Sequence, residues 1–318
     1  MRENHAPVDG LETMTYERDG RIARITLDRP ERGNAITLAM PRELADCVER
    51  ANLDPEVHVI ALAGNGTGFC GGYDLEQVPD TSSASRPGVS GSAQGRSPID
   101  PLTIAGNHDP STPWDPVTDF QMMSRNVRGF MSLFHSEKPV LCKVHGYCIA
   151  GGTDMALCAD LLLVDDRARI GYPPARVWGV PTTALWAHRV GPARAKRLLL
   201  TGDSLSGREA VEWGLAISSA PADELDAAFE GLLERVARLP INQLVMHKLL
   251  VNQAVYAQGL HSTQLLGTFF DGIARHTPEG FGFASDAVQH GYREAVRRRD
   301  EPFGDHGLGG FTAGGGAR

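Results

Sequence analysis

The stretch from Lys143 to Leu163, KVHGYCIAGGTDMALCADLLL, gathers an apolar run, a turn, two adjacent glycines and a helical pattern around one acid, Asp154. Val140 to Val144 is apolar and β-branched and is bounded by Pro139 and Gly146, which suits a buried strand. Met155, Ala156, Leu157 and Ala159 then suit a buried helix beginning at Gly151. Gly151 and Gly152 would occupy its first turn, where backbone N–H groups lack intrahelical partners and can hold an oxyanion. Asp154 is then an acid one turn inside an anion-binding helix start, or an aspartate that only complements the helix dipole. His145 stands nine residues earlier, at the end of the strand. A histidine and an aspartate brought together can activate water; a histidine before a glycine can also simply cap the turn.

A second glycine-rich element has the same character. Val57 to Ala63 reads as an apolar strand that runs straight into GNGTGFCGGYDL, Gly64 to Leu75. Together the two loops resemble those of the crotonase superfamily, the enoyl-CoA hydratase/isomerase-like enzymes. LDRPERGNAI (Leu27 to Ile36), ARIGYPPARVWGVP and the Arg194 to Ala216 block extend the resemblance from about Leu11 to Ala220, with a looser match through the C-terminal helices.

The resemblance implies an α/β fold, a crotonase-like ββα superhelix with a C-terminal helical trimerisation layer, assembled as a homotrimer or a dimer of trimers. It implies a CoA thioester as substrate and no separate cofactor or metal. The thioester carbonyl would lie between the amides of Tyr73 and Gly151, with Gly71, Gly72, Asp74, Leu75 and Gly152 around it and Trp178 walling the acyl pocket. Arg32, Asn34 and Ala35 would border the CoA, and the arginines from Arg297 to Arg299 could offer a patch for its phosphates. Asp74 also reads as a helix cap before Leu75, Glu76 and Gln77.

One position departs from the family. Its hydratases use two glutamates to position and deprotonate a water; Asp154 matches the first, while Pro174, in Ile170-Gly171-Tyr172-Pro173-Pro174, stands where the second belongs. No Asp or Glu occurs between Asp166 and Asp203. Loss of a positioned acid or base typically costs about 10²–10⁴-fold in rate. Three functions therefore stay open: a hydratase or isomerase built on Asp154; a hydrolase of a thioester or a β-dicarbonyl C–C bond with His145 as base and Asp154 as orienter or proton donor; and a non-catalytic acyl-CoA-binding protein.

Composition sets the outer limits. The chain has 318 residues, 42% hydrophobic and 22% charged, with a net charge of −8, as expected of a water-soluble protein with an ample core. An acidic balance gives no broad attraction to nucleic acid. Cys47, Cys70, Cys142, Cys148 and Cys158 are odd in number and lack metal spacing, which suits reduced thiols in the cytoplasm. The N-terminus has no signal-like apolar run, and no segment reaches membrane-spanning length. Gly66 to Gly71 formally fits G-x-G-x-x-G, but no first βαβ unit surrounds it and no acid follows at the spacing a dinucleotide site needs.

Elements must hold these loops in place. Strands are expected at Thr13–Glu17 and Arg21–Leu27, and helices at Leu38–Ala51, Phe120–Phe134, Ala193–Leu200, Ser206–Trp213, Asp223–Leu239, Ile241–Gln258 and Gly259–Ile273. The chain divides into a core at 11–220, a helical region at 221–303, and disordered ends at 1–10 and 304–318. The Ser-, Pro- and Gly-rich insertion at about 79–116 reads as a structureless loop, with Ile99 to Trp114 either capping the acyl pocket or lying on the surface.

Overall fold

In a computed structural model, residues 10–75 and 97–304 are described. Apolar strands with few charges pair in parallel and must be covered on both faces. Strands β1 (Met14–Asp19) and β2 (Ile22–Leu27) form an antiparallel hairpin. Onto β2 are added β3 (Val59–Gly64), β4 (Val140–Val144), β6 (Leu161–Asp165) and β9 (Ser218–Ala220), all parallel, giving the order β1-β2-β3-β4-β6-β9. A second sheet of three short strands, β5 (Tyr147–Ile149), β7 (Arg169–Gly171) and β8 (Ser204–Leu205), takes one strand from each successive turn of the chain. Cys70 joins its edge through a bridge to Cys148, so the loop after β3 enters the same ladder.

Alternation along the strands separates two cores. Ile25, Leu27, Ile60, Leu62, Cys142 and Val144 face the large core, which also takes in α1 (Met40–Leu53) and α3 (Pro116–His135). Ile22, Val59, Ala61, Leu141 and Leu163 face the other way and are covered by Leu225, Phe229 and Leu233 of α7 (Leu225–Ala237). All five cysteines are free and buried, and burial raises the thiols of Cys47 and Cys70 to about 12, so they act as small core residues.

The spiral, the short helix α4 (Gly151–Ala156), α5 (Trp186–Thr201), α6 (Gly207–Glu212) and the helical layer of α8 (Ile241–Ala257) and α9 (Leu260–Arg275) follow the expected architecture. One expectation needs correction. Residues 101–107 of the presumed structureless insertion form helix α2 (Pro101–Asn107), because Asp100 caps it by accepting from the amides of Leu102 and Thr103, and Pro101 fills its first position. Beyond α9, within the helical region expected at 221–303, the chain makes α10 (Pro278–His290) and α11 (Tyr292–Asp300), divided at Gly291, whose φ of 84° only glycine adopts readily. The terminal segments expected to be disordered lie, apart from Gly10 and Gly304, outside the described residues, as does 79–96 of the insertion.

Helix α8 is fastened by a buried lysine. Lys248 Nζ donates to the carbonyls of Leu133 and Lys138 at 2.8 and 3.1 Å and pairs with Asp160 at 2.8 Å, while Asn252 donates to Phe134 O at 2.8 Å. Leu244, Lys248 and Asn252 thus mark one inward stripe, while Met246, Leu249, Leu250 and Val251 are exposed.

Candidate active site

The two glycine-rich loops abut. Ile36 bridges Tyr73: Ile36 N donates to Gly72 O at 2.8 Å, and Asp74 N donates to Ile36 O at 3.0 Å. These bonds use the groups on either side of Tyr73, so its own N–H faces away from Ile36, and no carbonyl of the described residues accepts it. From the other side, Ile149 N donates to Cys70 O and Ala150 N to Gly171 O, both at 3.0 Å. Ala150 then turns the chain into α4 with φ 54° and ψ −124°, a conformation that costs an alanine on the order of 1–3 kcal/mol. That turn places Gly151 first in the helix, its N–H likewise without a carbonyl partner among the described residues. A Cβ built on Gly72 would lie 3.7 Å from Gly151 N and 3.2 Å from Ile149 O, and one on Gly151 would lie 2.7 Å from the Tyr73 ring. Only glycine fits at either place without displacing the other loop.

Asp154 lies one turn into α4 and is buried. Its Oδ1 accepts from Thr183 N at 3.1 Å and from Thr183 Oγ1 at 2.8 Å, while Oδ2 is buried with no hydrogen-bond partner among the described residues. Burial pushes its carboxyl up to about 7 against the opposing pull of the Thr183 bonds, and the charge of Asp271 pushes the same way. Thr183 is itself held from α9, where Gln264 Nε2 donates to Thr183 O at 3.0 Å. The acid proposed from sequence therefore sits near its protonation midpoint at neutral pH, although it is not among the residues that line the adjacent cavity.

That cavity has a volume of about 740 Å³, within the range of small-molecule sites. Ile36, Leu38, Leu75, Met122, Met123 and Trp178 give it apolar walls. Pro101, Ile104 and His108 cover it from α2 and its C-terminus, so the part of the insertion expected either to cap the pocket or to lie on the surface does cover it. Asn107 fastens this cover by exchanging two bonds with the Asp115 backbone, at 3.0 and 2.8 Å, and by accepting from His276 Nε2 at 3.0 Å. His276 stacks on Trp114 with ring centroids 4.5 Å apart. Burial, then the Arg275 charge, lowers His108 to about 4, so it meets the cavity as a neutral ring at physiological pH.

Three polar residues on the wall, Asn126, Asp271 and Arg275, were not singled out by the sequence reading. Arg275 Nη2 pairs with Asp119 Oδ1 at 2.7 Å and with Asp271 Oδ2 at 3.2 Å. Burial raises Asp271 to about 6, against the opposing charge of Arg275. The signal available in the sequence was the stripe Gln264, Thr268, Asp271 and Arg275 at helical spacing, a polar stripe within the helical layer.

The other proposed site residues divide into two groups. Gly71, Tyr73, Asp74, Leu75, Pro174 and Trp178 line the cavity; Gly72, Gly151, Gly152, Arg32, Asn34 and Ala35 do not. Asn34 has its side chain committed: Oδ1 accepts from Arg29 N at 2.9 Å and Nδ2 donates to Asn65 O and Gly68 O at 2.8 and 3.0 Å. It ties the first turn to the glycine loop. Asp74 pairs with Arg29 at 3.0 Å and Arg32 at 3.3 Å, which accounts for its burial beside the cavity. A Cβ on Gly152 would lie 2.6 Å from Cys70 O, so that glycine serves the approach of the two loops.

His145, Arg297 and Arg298 do not line the cavity. The His145 ring bonds Gly66 O through Nε2 at 2.9 Å, tying the end of β4 to the other glycine loop, and is not among the lining residues. Arg297 and Arg298 are both engaged by Glu294, at 2.7 and 2.9 Å, while Arg299 lines the cavity and pairs with Asp300 at 2.7 Å. Among the described residues no group of three metal-ligating side chains comes together, and no helix is long and apolar enough to cross a membrane.

Known proteins share this arrangement. The enoyl-CoA hydratase/isomerase family model matches residues 17–93 and 118–277. A crystal structure of an enoyl-CoA hydratase from Mycobacterium smegmatis superimposes with a TM-score of 0.87 at 54% identity, covering 95% of this chain and 98% of that one. EchA13 of Mycobacterium tuberculosis, provisionally named an enoyl-CoA hydratase, is 32% identical over 276 residues, 81% of this chain and 79% of the relative. The carnitinyl-CoA dehydratase of Proteus mirabilis is 28% identical over 222 residues, 69% of this chain and 72% of that protein. Two abutting glycine loops on a ββα spiral, with a family match over most of the chain, make this protein a member of the enoyl-CoA hydratase/isomerase family of the crotonase superfamily.

Proposed function

We propose that this crotonase-superfamily enzyme of acyl-CoA thioesters adds water to, or shifts the double bond of, an enoyl thioester whose carbonyl oxygen rests on the amides of Tyr73 and Gly151. The observation that carries this reading is the pair of unpartnered amides from two loops in mutual contact, with a buried acid one helical turn away. Negative charge grows on the thioester oxygen as the enolate forms. Each pre-organised donor there is worth roughly 3 kcal/mol in the transition state. Asp154, held near half-protonation, supplies or takes the proton at the α carbon, and the apolar walls receive the acyl chain.

Hydrolysis through a His145–Asp154 pair draws no support from the geometry, since His145 is engaged at Gly66. The deciding experiment incubates the protein with enoyl-CoA, saturated acyl-CoA and β-keto-acyl-CoA thioesters in heavy-oxygen, deuterated water and reads products by mass spectrometry. Labelled oxygen at the β carbon or a moved double bond is expected. Free CoA or chain cleavage alone would replace this reading with hydrolysis, and binding without product would leave an acyl-CoA-binding protein.

Assembly belongs to the same reading. Leu249, Leu250 and Val251 of α8 and Leu266, Phe270 and Ile273 of α9 leave an apolar face on the helical layer, as a trimer or a dimer of trimers would use. Leu250→Arg, at a position 72% exposed, is expected to leave the fold intact while sedimentation velocity shows monomers in place of the wild-type assembly. An unchanged sedimentation coefficient would place the contact elsewhere.

A further inference from the structure

We infer that Asp271, on helix α9, is the second carboxylate of this active site and does the work that Pro174 cannot. The inference rests on the function proposed above. Pro174 lines the cavity but brings no titratable group to it. Asp271 lines the same cavity from the helical layer, with its side chain 11% exposed. One stripe of α9 serves both acids: Gln264 holds Thr183, which holds Asp154, while Asp271 stands two turns further along and meets the cavity directly.

The polar end around Asp271 is built. Arg275 reaches it from its own helix at 3.2 Å and is held in turn by Asp119 of α3 at 2.7 Å. The phenols of Tyr73 and Tyr172 are buried near both carboxylates: burial first, then the charges of Asp154 and Asp271, raises each well above its ordinary value. Tyr73 also carries the oxyanion-hole amide, so the same residue touches the hole and the neighbourhood of Asp271. Burial, Arg275 and Asp119 act on its protonation, and Asp154, Tyr73 and Tyr172 are the titratable groups that feel its charge. Burial raises Asp271 to about 6 against the pull of Arg275 and raises Asp154 to about 7; Asp271 alone of the two lines the cavity, which assigns it the water and leaves Asp154, beside the glycine loops, as the acid.

Hydration then balances as follows. Asp271 takes a proton from water as the water oxygen bonds to the β carbon. The π electrons pass to the thioester oxygen in the hole, and the enolate collapses as its α carbon takes the proton of Asp154. Solvent returns the proton from Asp271 to Asp154.

The test uses the full-length protein, with crotonyl-CoA and longer enoyl-CoA thioesters for turnover and saturated acyl-CoA for binding. Asp271→Asn is expected to lose about 10²–10⁴-fold in kcat while still binding saturated acyl-CoA. Arg275→Gln is expected to move the acidic limb of the kcat/KM profile to higher pH, because the cation that lowers Asp271 is gone; a purely structural ion pair would not move that limb. Wild-type turnover that persists in Asp271→Asn would overturn this inference alone. An unmoved limb in folded Arg275→Gln would also overturn it. Failure of the wild type to turn over any enoyl thioester would remove the proposed function and this inference together.

Discussion

Replacing Asp154 with asparagine is expected to cut turnover sharply and to make the protein harder to unfold at pH 8. Loss of the acid should cost about 10²–10⁴-fold in kcat. The stability effect has the opposite sign because the folded state holds this carboxyl at about 7, far above its ordinary value of 3.8, through burial. Between those two values the folded protein binds a proton that the unfolded chain has released. The stability contributed by Asp154 is therefore fully present below about pH 4 and is lost as pH rises through about 7. A difference of this size corresponds to on the order of 4 kcal/mol at most.

Asparagine stays neutral. Its Oδ1 can keep both Thr183 bonds, though its amide replaces an unpartnered Oδ2 at a cost of about 1–3 kcal/mol. The variant should lie level with or below the wild type at pH 5 and above it, by about 1–3 kcal/mol, at pH 8. Urea unfolding at both pH values, beside a turnover assay, reads both effects. A wild-type stability that does not fall between pH 5 and pH 8 would contradict the buried acid, and unimpaired turnover would reduce Asp154 to a complement of the helix dipole.

The parts of this site that were legible in the sequence are those set by local chemistry. Apolar β-branched runs fixed Val140–Val144, and glycine followed by a helical pattern located the start of α4 at Gly151. Helix α2 was hidden because its evidence is a cap, Asp100 before Pro101, at the end of a segment whose composition argued for a loop. Its packing over the cavity depends on Asn107 and His276, 169 residues apart. Asp271 was passed over for the same reason. A polar residue on an amphipathic helix is ordinarily a solvated one, and nothing local records that this stripe of α9 faces inward. His145 was legible as a polar group at a turn, but only the fold shows that Gly66 O is its partner.

Arg176→Ala, just behind the cavity wall, should be strongly destabilising. Arg176 and Asp300 are each 1% exposed in their side chains and pair at 2.8 Å, while Arg176 Nε also donates to Thr201 O at 2.9 Å. Removing one partner of such a buried pair typically costs about 3–5 kcal/mol, because the remaining charge stays buried. Here Asp300 keeps Arg299 at 2.7 Å, which argues for the lower end of that range. The pair also has a functional position. Arg176 closes the short 3-10 turn Pro173–Arg176 that carries Pro174, and Asp300 ends α11, whose Tyr292, Arg293 and Val296 line the cavity. Under the proposed function, loosening α11 should raise KM more than it lowers kcat, since the wall would receive the substrate while the amides of Tyr73 and Gly151 and the carboxyl of Asp154 lie on other elements. Replacing both partners, Arg176→Met with Asp300→Asn, should recover part of the lost stability if the cost is that of a stranded carboxylate, since the asparagine oxygen can still accept from Arg299. Urea unfolding of the single and double variants, with kcat and KM measured separately, provides the check. A single variant within about 1 kcal/mol of the wild type, or a kcat that falls with KM unchanged, would show that this ion pair does not hold the wall.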